Sequence, residues 1–412
     1  MLVIDRIKAL KFILLGALIN SSLFIGFEPQ GFSLLRIFIV LFLFASVLLL
    51  FIFSIKQEKL QNISQINIYF KVMLILLFFW SGFTIFRDLS LNVKDMIALF
   101  GHYLMGWAWI TPLAIVFGFN IYNWVSIFDF LGKLLLVGVI LTFFILFFPG
   151  VEESYTFGIV EWVQFFPILL FTYWYQKPFY KKVTILAVVA FIILSIYNSQ
   201  RVSALYLGLV VIFMLIEMIR TKHIGGYKKI FILLSLALLL LILVMKIPAF
   251  YNNLKQDKHV TTDTRTFLLI EMFHDMSQEE QIIGRGALGT YYSPYFSMLR
   301  HQGFKDGDSP IRSVNEIGYL EMILKGGYIM MILYLLILVP AAYLGIFRSK
   351  NSIARMSGYI IAIYLVVWLV SYYSVYSAEY LLLWMAVGTV ISPYSRNISE
   401  DQIKKFINKD RC

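Results

Sequence analysis

Residues 312–327 read RSVNEIGYLEMILKGG and pass directly into an apolar run that extends to about residue 347. They close the one long polar passage of the chain, 263–327, which also contains DTRTFLL at 263–269 and GRGALG at 284–289. A polar passage that ends in an apolar run of membrane length is typical of a loop that returns to a bilayer. The stretch therefore predicts a membrane bundle with one large polar loop.

The composition of the chain is far from that of soluble domains. Of its 412 residues, 60% are hydrophobic and 14% are charged, whereas soluble domains are about 45–50% apolar. The net charge of +11 comes mainly from Lys and Arg between apolar runs, where the positive-inside rule explains them without a nucleic-acid partner. Cys412 is the only cysteine. This excludes an intrachain disulfide and a Cys/His metal site, and we expect no metal or cofactor.

The predicted fold class is an all-α polytopic membrane protein with about 12 transmembrane helices. A helix needs about 17–25 apolar residues to cross the hydrocarbon core, and the chain offers twelve such runs. They cover about residues 10–27, 33–55, 68–86, 96–118, 126–148, 160–176, 183–199, 202–219, 230–247, 326–347, 357–375 and 378–393. The first has a basic flank and no small-residue cleavage site after it, so we expect a retained helix and not a signal peptide.

The distribution of Lys and Arg predicts the orientation. If the N-terminus lies inside, the inside segments carry most of the basic residues in short loops, as the positive-inside rule requires. Both termini are then cytoplasmic. The chain divides into nine spans over 1–247, an external loop over 248–313, a loop-end helix with three spans over 314–393, and a cytoplasmic tail over 394–412.

Two helices are predicted in the external loop and at its end. The segment TTDTRTFLLIEMFHDM, 261–276, is typical of a capped helix with Asp263 as its N-cap. From Ser313 the chain is predicted to be helical again, with a break at KGGY, 325–328.

Five arginines are candidate ligands for an anionic substrate. A guanidinium stays charged and matches phosphate oxygens with its planar fork. Arg201 lies between two apolar runs, where a charged side chain is energetically costly and is therefore a candidate functional residue. The alternative to a functional role is a tight polar turn with a snorkelling side chain. The other four are Arg265, Arg285, Arg300 and Arg312, and the alternative for each is a basic loop that faces anionic lipid. The glycines beside Arg285 would also let backbone N–H groups approach an anion.

Glu316 is the candidate general base. On a helix, Arg312 and Glu316 would be four residues apart and would share a face with Tyr319. Burial and a nearby arginine would tune the proton affinity of the carboxylate. The alternative is a purely structural Arg312–Glu316 pair. Glu321 is predicted to point elsewhere and to pair with Lys325, four residues on.

The order of these features resembles the O-antigen polymerase and O-antigen ligase family of bacterial envelope enzymes. The likeness rests on NSQRVSALYLGL around Arg201, on a loop that opens with TDTR and contains IIGRGALG, and on NEIGYLEMILKGGYIMMILYLL. The resemblance implies a GT-C-type fold. It also implies inverting, metal-independent transfer of a glycan from undecaprenyl pyrophosphate at the outer leaflet, with Arg201, Arg265 and Arg285 holding the pyrophosphate.

The ligase branch of this family has a histidine where this chain has Glu316, so the resemblance favours a polymerase. We expect an O-antigen or surface polysaccharide polymerase in a bacterial inner membrane, with its site facing the periplasm. Its expected partners are undecaprenyl-pyrophosphate-linked oligosaccharides, the lipid bilayer and a chain-length regulator protein. The alternatives are a ligase that transfers glycan to lipid A-core, a peptidoglycan polymerase of the shape, elongation and division type, and a lipid-linked oligosaccharide flippase. Broken helices paired at mid-membrane would favour transport.

Overall fold

A computed structural model describes residues 5–27, 34–55, 65–102, 104–147, 153–198, 201–221, 235, 264–295, 297, 310–371 and 375–409. Apart from position 235, the predicted span over 230–247 lies outside the described residues. Asp263 and Arg300 lie outside them as well.

Helices make up most of the described part of the chain. They are α1 (Arg6–Phe27), α2 (Leu34–Ile55), α3 (Ile68–Phe86), α4 (Val93–Phe100), a 3-10 helix (Gly106–Ala114), α5 (Ile115–Gly118), α6 (Tyr122–Leu146), α7 (Glu153–Val163), α8 (Phe166–Phe171), a 3-10 helix (Tyr173–Tyr175), α9 (Pro178–Tyr197), α10 (Arg201–Thr221), α11 (Thr264–Asp275), α12 (Gln278–Ile283), α13 (Gly318–Arg348), α14 (Ser352–Val367), α15 (Ala378–Ile391), α16 (Pro393–Asn397) and α17 (Glu400–Lys409). Strands β1 (Tyr291–Tyr292) and β2 (Ile311–Arg312) pair antiparallel, with Tyr291 opposite Arg312.

Six helices are long and apolar enough to cross a membrane, namely α2, α3, α6, α9, α10 and α13. Shorter apolar helices include α14 and α15. An all-α fold with several membrane-length helices is therefore confirmed for the described residues. The number twelve and the GT-C type stay predictions.

Two predicted spans are interrupted. The segment expected to cross as one helix over 96–118 forms α4, a 3-10 helix and α5. Pro112 lies inside that 3-10 helix, and a proline cannot donate a backbone hydrogen bond to a continuous α-helix. The segment expected over 160–176 is divided among α7, α8 and the second 3-10 helix, with Pro167 in the first turn of α8. Proline is tolerated there because the first turn leaves its N–H groups unpaired anyway.

Helix α15 lies at the centre of the packing. All of its residues are buried, and it contacts α1, α5, α13 and α14. Its backbone approaches α5 closely: a Cβ at Gly118 would lie 1.9 Å from the Met385 carbonyl oxygen, and one at Gly388 would lie 2.0 Å from the Ile115 carbonyl oxygen. Small residues permit this kind of contact between apolar helices.

Helices α3 and α13 run antiparallel. Trp80 Nε1 donates to the Gly326 carbonyl at 2.7 Å, and the Tyr69 hydroxyl donates to the Leu336 carbonyl at 2.7 Å. At 1.5 Å per residue the two contacts are about 16 Å apart along α3 and about 15 Å apart along α13. The end of this pair that contains Trp80 and Gly326 is called the loop end, and the opposite end is called the far end.

Candidate functional site

The GRGALG turn is fixed to the break in α13. The backbone N–H of Arg285 donates to the Leu324 carbonyl at 2.8 Å, and that of Gly286 donates to the Lys325 carbonyl at 2.9 Å. Gly284 has a φ of 76°, and a Cβ there would lie 2.3 Å from the Lys325 carbonyl oxygen. These glycines thus allow the turn to approach α13. The expected use of these N–H groups for an anion is wrong, because α13 already accepts them.

The α13 break itself lies at Gly327, which has a φ of 71° and a ψ of −177° inside the helix. A Cβ at this position would lie 2.0 Å from the carbonyl oxygen of Ile282, the penultimate residue of α12. Helix α12 begins with a capping box in which Ser277 and Glu280 satisfy each other's backbone N–H groups. The predicted break at KGGY is therefore confirmed, and its role is to receive α12.

The Arg285 guanidinium is committed to acidic and carbonyl partners. Its Nη1 donates to Asp275 Oδ2 at 2.5 Å and to the Thr290 carbonyl at 2.6 Å. Its Nη2 donates to Glu280 Oε2 at 2.9 Å and to the Asp275 carbonyl at 2.6 Å. The hydrogen bond from Arg285 lowers the pKa of the Glu280 carboxyl below its ordinary value. Two carboxylates, those of Asp275 and Glu280, neutralise this cation and fix it within the loop; its role as a pyrophosphate ligand stays a prediction.

The C-terminal end of α3 holds the same turn from the other side. Arg87 Nη1 donates to the carbonyls of Ile283 and Gly284 at 2.9 and 2.8 Å. Asp88 Oδ2 accepts the backbone N–H of Leu288 at 2.7 Å. Burial raises the pKa of the Asp88 carboxyl, against the smaller effect of that backbone hydrogen bond. The turn thus lies between α3 and α13 at the loop end.

A buried ion pair lies beneath the turn. Glu321 and Lys325, which the sequence predicts to pair, lie 3.8 Å apart with side chains that are 1% and 0% exposed. Lys325 Nζ also donates to the carbonyls of Gly289 at 2.9 Å and Ser313 at 2.5 Å. The Glu321 carboxylate accepts the backbone N–H of Asn315 at 2.7 Å. The pair therefore connects α13 both to the GRGALG turn, through Gly289, and to the segment just before α13, through Ser313 and Asn315.

Arg312 and Glu316 are brought together, but not by a helix. Arg312 lies in β2, and α13 begins only at Gly318, so the expected helix from Ser313 is wrong. Pairing with β1 holds the backbone of Arg312 in an extended conformation. Asn315 Oδ1 accepts the N–H of Ile317 at 3.0 Å, and this local side-chain turn competes with helix formation. Arg312 Nη2 still lies 3.3 Å from Glu316 Oε1, with side chains 16% and 50% exposed.

The other candidate arginines are placed only by their backbones. Arg201 is the first residue of α10, and Arg265 lies in the first turn of α11. The side chains of both lie outside what the structure describes, as does the whole of Arg300. The loop helix α11 is present as predicted, although its buried residues are Leu268 and Met272, while Phe267 and Ile270 are exposed.

An acid cluster lies within the bundle, and sequence reasoning missed it as a set. It consists of Ser21, Glu161, Gln164 and Glu379: Ser21 Oγ donates to Glu161 Oε2 at 3.1 Å, and Glu379 interacts electrostatically with Glu161 and lies beside Gln164. Gln164 Nε2 and Glu379 Oε1 are buried and have no partner at hydrogen-bond geometry among the described residues, although the side chains of Gln164 and Tyr364 lie near enough to Glu379 to interact with its carboxyl group. The sequence pattern that could have revealed the cluster is a glutamate in each of two apolar runs, Glu161 in 160–176 and Glu379 in 378–393, because a buried carboxylate is costly in a membrane.

The acid cluster lies close to the beginning of α10. The Tyr206 hydroxyl donates to the Gln164 carbonyl at 2.9 Å, and Tyr206 follows Arg201 by five residues, or about 7.5 Å along a helix. The cluster and the backbone position of Arg201 therefore belong to one region of the bundle.

The fold and these contacts define an α-helical, multi-pass membrane protein in which a polar loop is fixed to a broken helix. Compared with known proteins, the chain matches no family model, no curated protein and no solved structure. Any closer assignment therefore depends on the residues themselves.

Proposed function

We propose that the protein is a membrane glycosyltransferase, a polymerase of O-antigen or a related surface polysaccharide. It moves a growing glycan from undecaprenyl pyrophosphate onto an incoming lipid-linked repeat unit at the outer face of a bacterial inner membrane. The observation that carries the proposal is the Arg312–Glu316 pair, whose oxygen and nitrogen lie 3.3 Å apart. The pair combines a fixed cation with a half-exposed carboxylate where the loop returns to α13.

In the proposed reaction, a hydroxyl oxygen of the acceptor sugar attacks the anomeric carbon of the donor glycan. A new C–O bond forms as the bond to the pyrophosphate oxygen breaks, and the electron pair leaves with undecaprenyl pyrophosphate. Glu316 accepts the hydroxyl proton. Negative charge grows on the leaving group, so a positioned guanidinium is most effective in the transition state. Attack from the side opposite the leaving group inverts the anomeric centre.

The arginines divide into two roles in this proposal. Arg312 holds the pyrophosphate, together with Arg201, Arg265 and Arg300. Arg285 supports the site by fixing the turn, because its guanidinium is already engaged by Asp275 and Glu280. In a ligase, the acceptor would instead be lipid A-core.

The test uses cells that lack the chromosomal gene and carry variants of the full chain. For Glu316→Gln we expect loss of the polymer ladder and a fall in transfer rate of about 100-fold or more, since a lost general base has an effect of that order. Arg312→Gln should also remove long polymer. The matched control is Glu279→Gln, which changes an exposed glutamate of α12. Full-length polymer from Glu316→Gln, at normal protein levels, would contradict the catalytic assignment.

A flippase for lipid-linked oligosaccharides is the second candidate. It is favoured by the two interrupted segments, 93–118 and 153–175, since transporters commonly form their substrate sites from discontinuous helices. Deletion of the gene separates the candidates. Single repeat units that accumulate on the outer surface support a polymerase, whereas units trapped on the inner surface support the flippase.

A further inference from the structure

A cleft of about 410 Å³ lies at the far end of α3 and α13. Asn67 and Tyr69 line it from the beginning of α3, Pro340 and Tyr343 line it from α13, and Pro393 and Arg396 line it from α16. From Gly327 to Tyr343 is 16 residues, so the cleft is about 24 Å along α13 from the break that receives the loop. This distance approaches the ~30 Å thickness of a bilayer core.

Arg396 is the cation of this cleft. Its backbone is fixed, because its carbonyl accepts the N–H of Lys350 at 2.9 Å. Among the residues that the structure describes, none forms a hydrogen bond with its buried Nε, and no acidic side chain forms an ion pair with it. Burial lowers the pKa of the guanidinium. A partly buried cation without an anion is unfavourable, and this points to a ligand that supplies one.

The surface beside the cleft is apolar. Phe347 is 63% exposed, Val339 is 52% exposed and Tyr343 is 49% exposed on the outer face of α13, and Ile68 is 70% exposed at the beginning of α3. A free phosphate ion cannot bury such an apolar surface, whereas the acyl chains of a lipid would cover it.

We propose that this cleft binds the headgroup of an anionic phospholipid, with the phosphate at Arg396 and the acyl chains along Val339, Tyr343 and Phe347. The planar guanidinium matches two phosphate oxygens. Asn67 is exposed at the rim, and its Oδ1 accepts the N–H of Tyr69. Asn67 lines the cleft, and with Oδ1 engaged its amide N–H₂ is the group we assign as a donor to a glycerol or phosphate oxygen. This site is separate from the proposed catalytic site and does not depend on the proposed function.

The experiment measures lipid retention by the purified full chain in nanodiscs that contain equal amounts of phosphatidylglycerol and phosphatidylcholine. Native mass spectrometry counts the lipids that remain bound after the disc is removed. We expect the wild type to retain phosphatidylglycerol preferentially, and Arg396→Gln to lose about tenfold of that preference, the loss expected for one charge-assisted hydrogen bond. Arg348→Gln is the control, because it removes an exposed cation at the same end of α13.

Three outcomes would overturn the proposal: no preference in the wild type, an unchanged preference in Arg396→Gln, or an equal loss in Arg348→Gln. Displacement of phosphatidylglycerol by millimolar inorganic phosphate would identify a soluble-anion site instead of a lipid site. Arg396→Lys keeps the charge without the planar fork and should lose less than Arg396→Gln. The wild-type comparison of the two lipids needs no variant, so an absence of preference there would overturn the proposal even if the substitutions prevent folding.

Discussion

Lys325 is fully buried, and its ammonium group lies among two backbone carbonyls and the Glu321 carboxylate. Removing one member of a buried pair leaves the other charge uncompensated, whereas replacing both is far less damaging. The two residues therefore form one unit, although they are four positions apart on α13.

Lys325→Met should destabilise the protein by about 3–5 kcal/mol, because Glu321 would remain buried without its cation. Thermal unfolding in detergent measures the change. The double variant Glu321→Gln/Lys325→Met should recover part of the loss, and Lys94→Met, which changes an exposed side chain of α4, should be neutral. A single variant as stable as the double variant would contradict a coupled pair.

The pairing of Arg285 with Glu280 predicts a pH dependence. The hydrogen bond from Arg285 lowers the pKa of Glu280 in the folded state, so the folded protein holds the charged carboxylate more favourably than the unfolded chain does. This contribution is complete above the ordinary glutamate pKa of about 4.3, and it is lost as the pH falls through the lower, folded-state value.

Glu280→Gln should therefore be less stable than the wild type at pH 7, and the difference should shrink as the pH falls below about 4. Hydrogen exchange of the backbone amides in 284–289 is the measurement. Glu279→Gln changes a residue of the same helix that forms no ion pair with any part of the chain that the structure describes, and it should show no such pH-dependent difference. A constant difference from pH 7 to pH 3 would show that Glu280 acts through packing alone.

At the scale of elements, the junction of α12 with α13 depends on Gly327. Its φ of 71° is unfavourable for other residues, and a Cβ there would lie 2.0 Å from the Ile282 carbonyl oxygen. The junction therefore requires glycine for two separate reasons, conformation and space.

Gly327→Ala should destabilise the protein by about 1–3 kcal/mol from backbone strain alone, with a further loss from the clash. We expect faster proteolysis of the loop and higher hydrogen exchange in α12. Gly82→Ala is the matched control within α3, because a Cβ there meets only Phe86 Cδ2 at 4.0 Å. Equal behaviour of the two variants would mean that α12 does not depend on the break.

Sequence patterns predicted the long helices well and their interruptions poorly. Hydropathy located α3 over 68–86, where the structure also places it, because a single apolar helix is set by its own residues. The break in 96–118 depends on Pro112, and a hydropathy value averaged over a window does not reveal a single proline. β2 was missed because its pairing with β1 is non-local, and helical spacing from Arg312 to Glu316 was a reasonable but wrong expectation.

The local pairs of the candidate site could be predicted from the sequence, but the contacts that bring separate segments together could not. The pairing of Glu321 with Lys325 follows from their spacing on a helix. Nothing local shows that the Arg285 side chain turns toward Asp275, ten residues earlier, and not toward a substrate. The SQEE sequence at 277–280 matches the capping-box pattern. It predicts a helix that begins after Ser277, and therefore a position for Glu280 close to the GRGALG turn.

At the scale of the whole molecule, a second buried charge network joins α10, α14 and α17. Arg355 donates to both oxygens of Glu217, at 2.6 Å for the closest contact, and the Tyr359 hydroxyl donates to the same carboxylate at 2.7 Å. Glu400 of α17 lies 3.6 Å from Arg355 and accepts the N–H of Ser352 at 2.7 Å. The network connects the C-terminal helix to the bundle.

Arg355→Met should destabilise the bundle by about 3–5 kcal/mol, since Glu217 would stay buried without its cation. It should also release α17, which limited proteolysis of the C-terminus would detect. Arg348→Met changes an exposed arginine nearby and should leave both properties unchanged. Release of α17 without a fall in thermal stability would show that Glu217 finds another partner.

The contact between Asp88 and Leu288 joins residues that are 200 positions apart. At the usual synthesis rate of 5–20 residues per second, α3 is made about 10–40 s before the turn that pairs with Asp88. Until that turn is made, Asp88 lacks the Leu288 N–H and Arg87 lacks the Ile283 and Gly284 carbonyls as partners. Water is the alternative partner for both charges, so this end of α3 is suited to an aqueous surface before the distant loop packs on it.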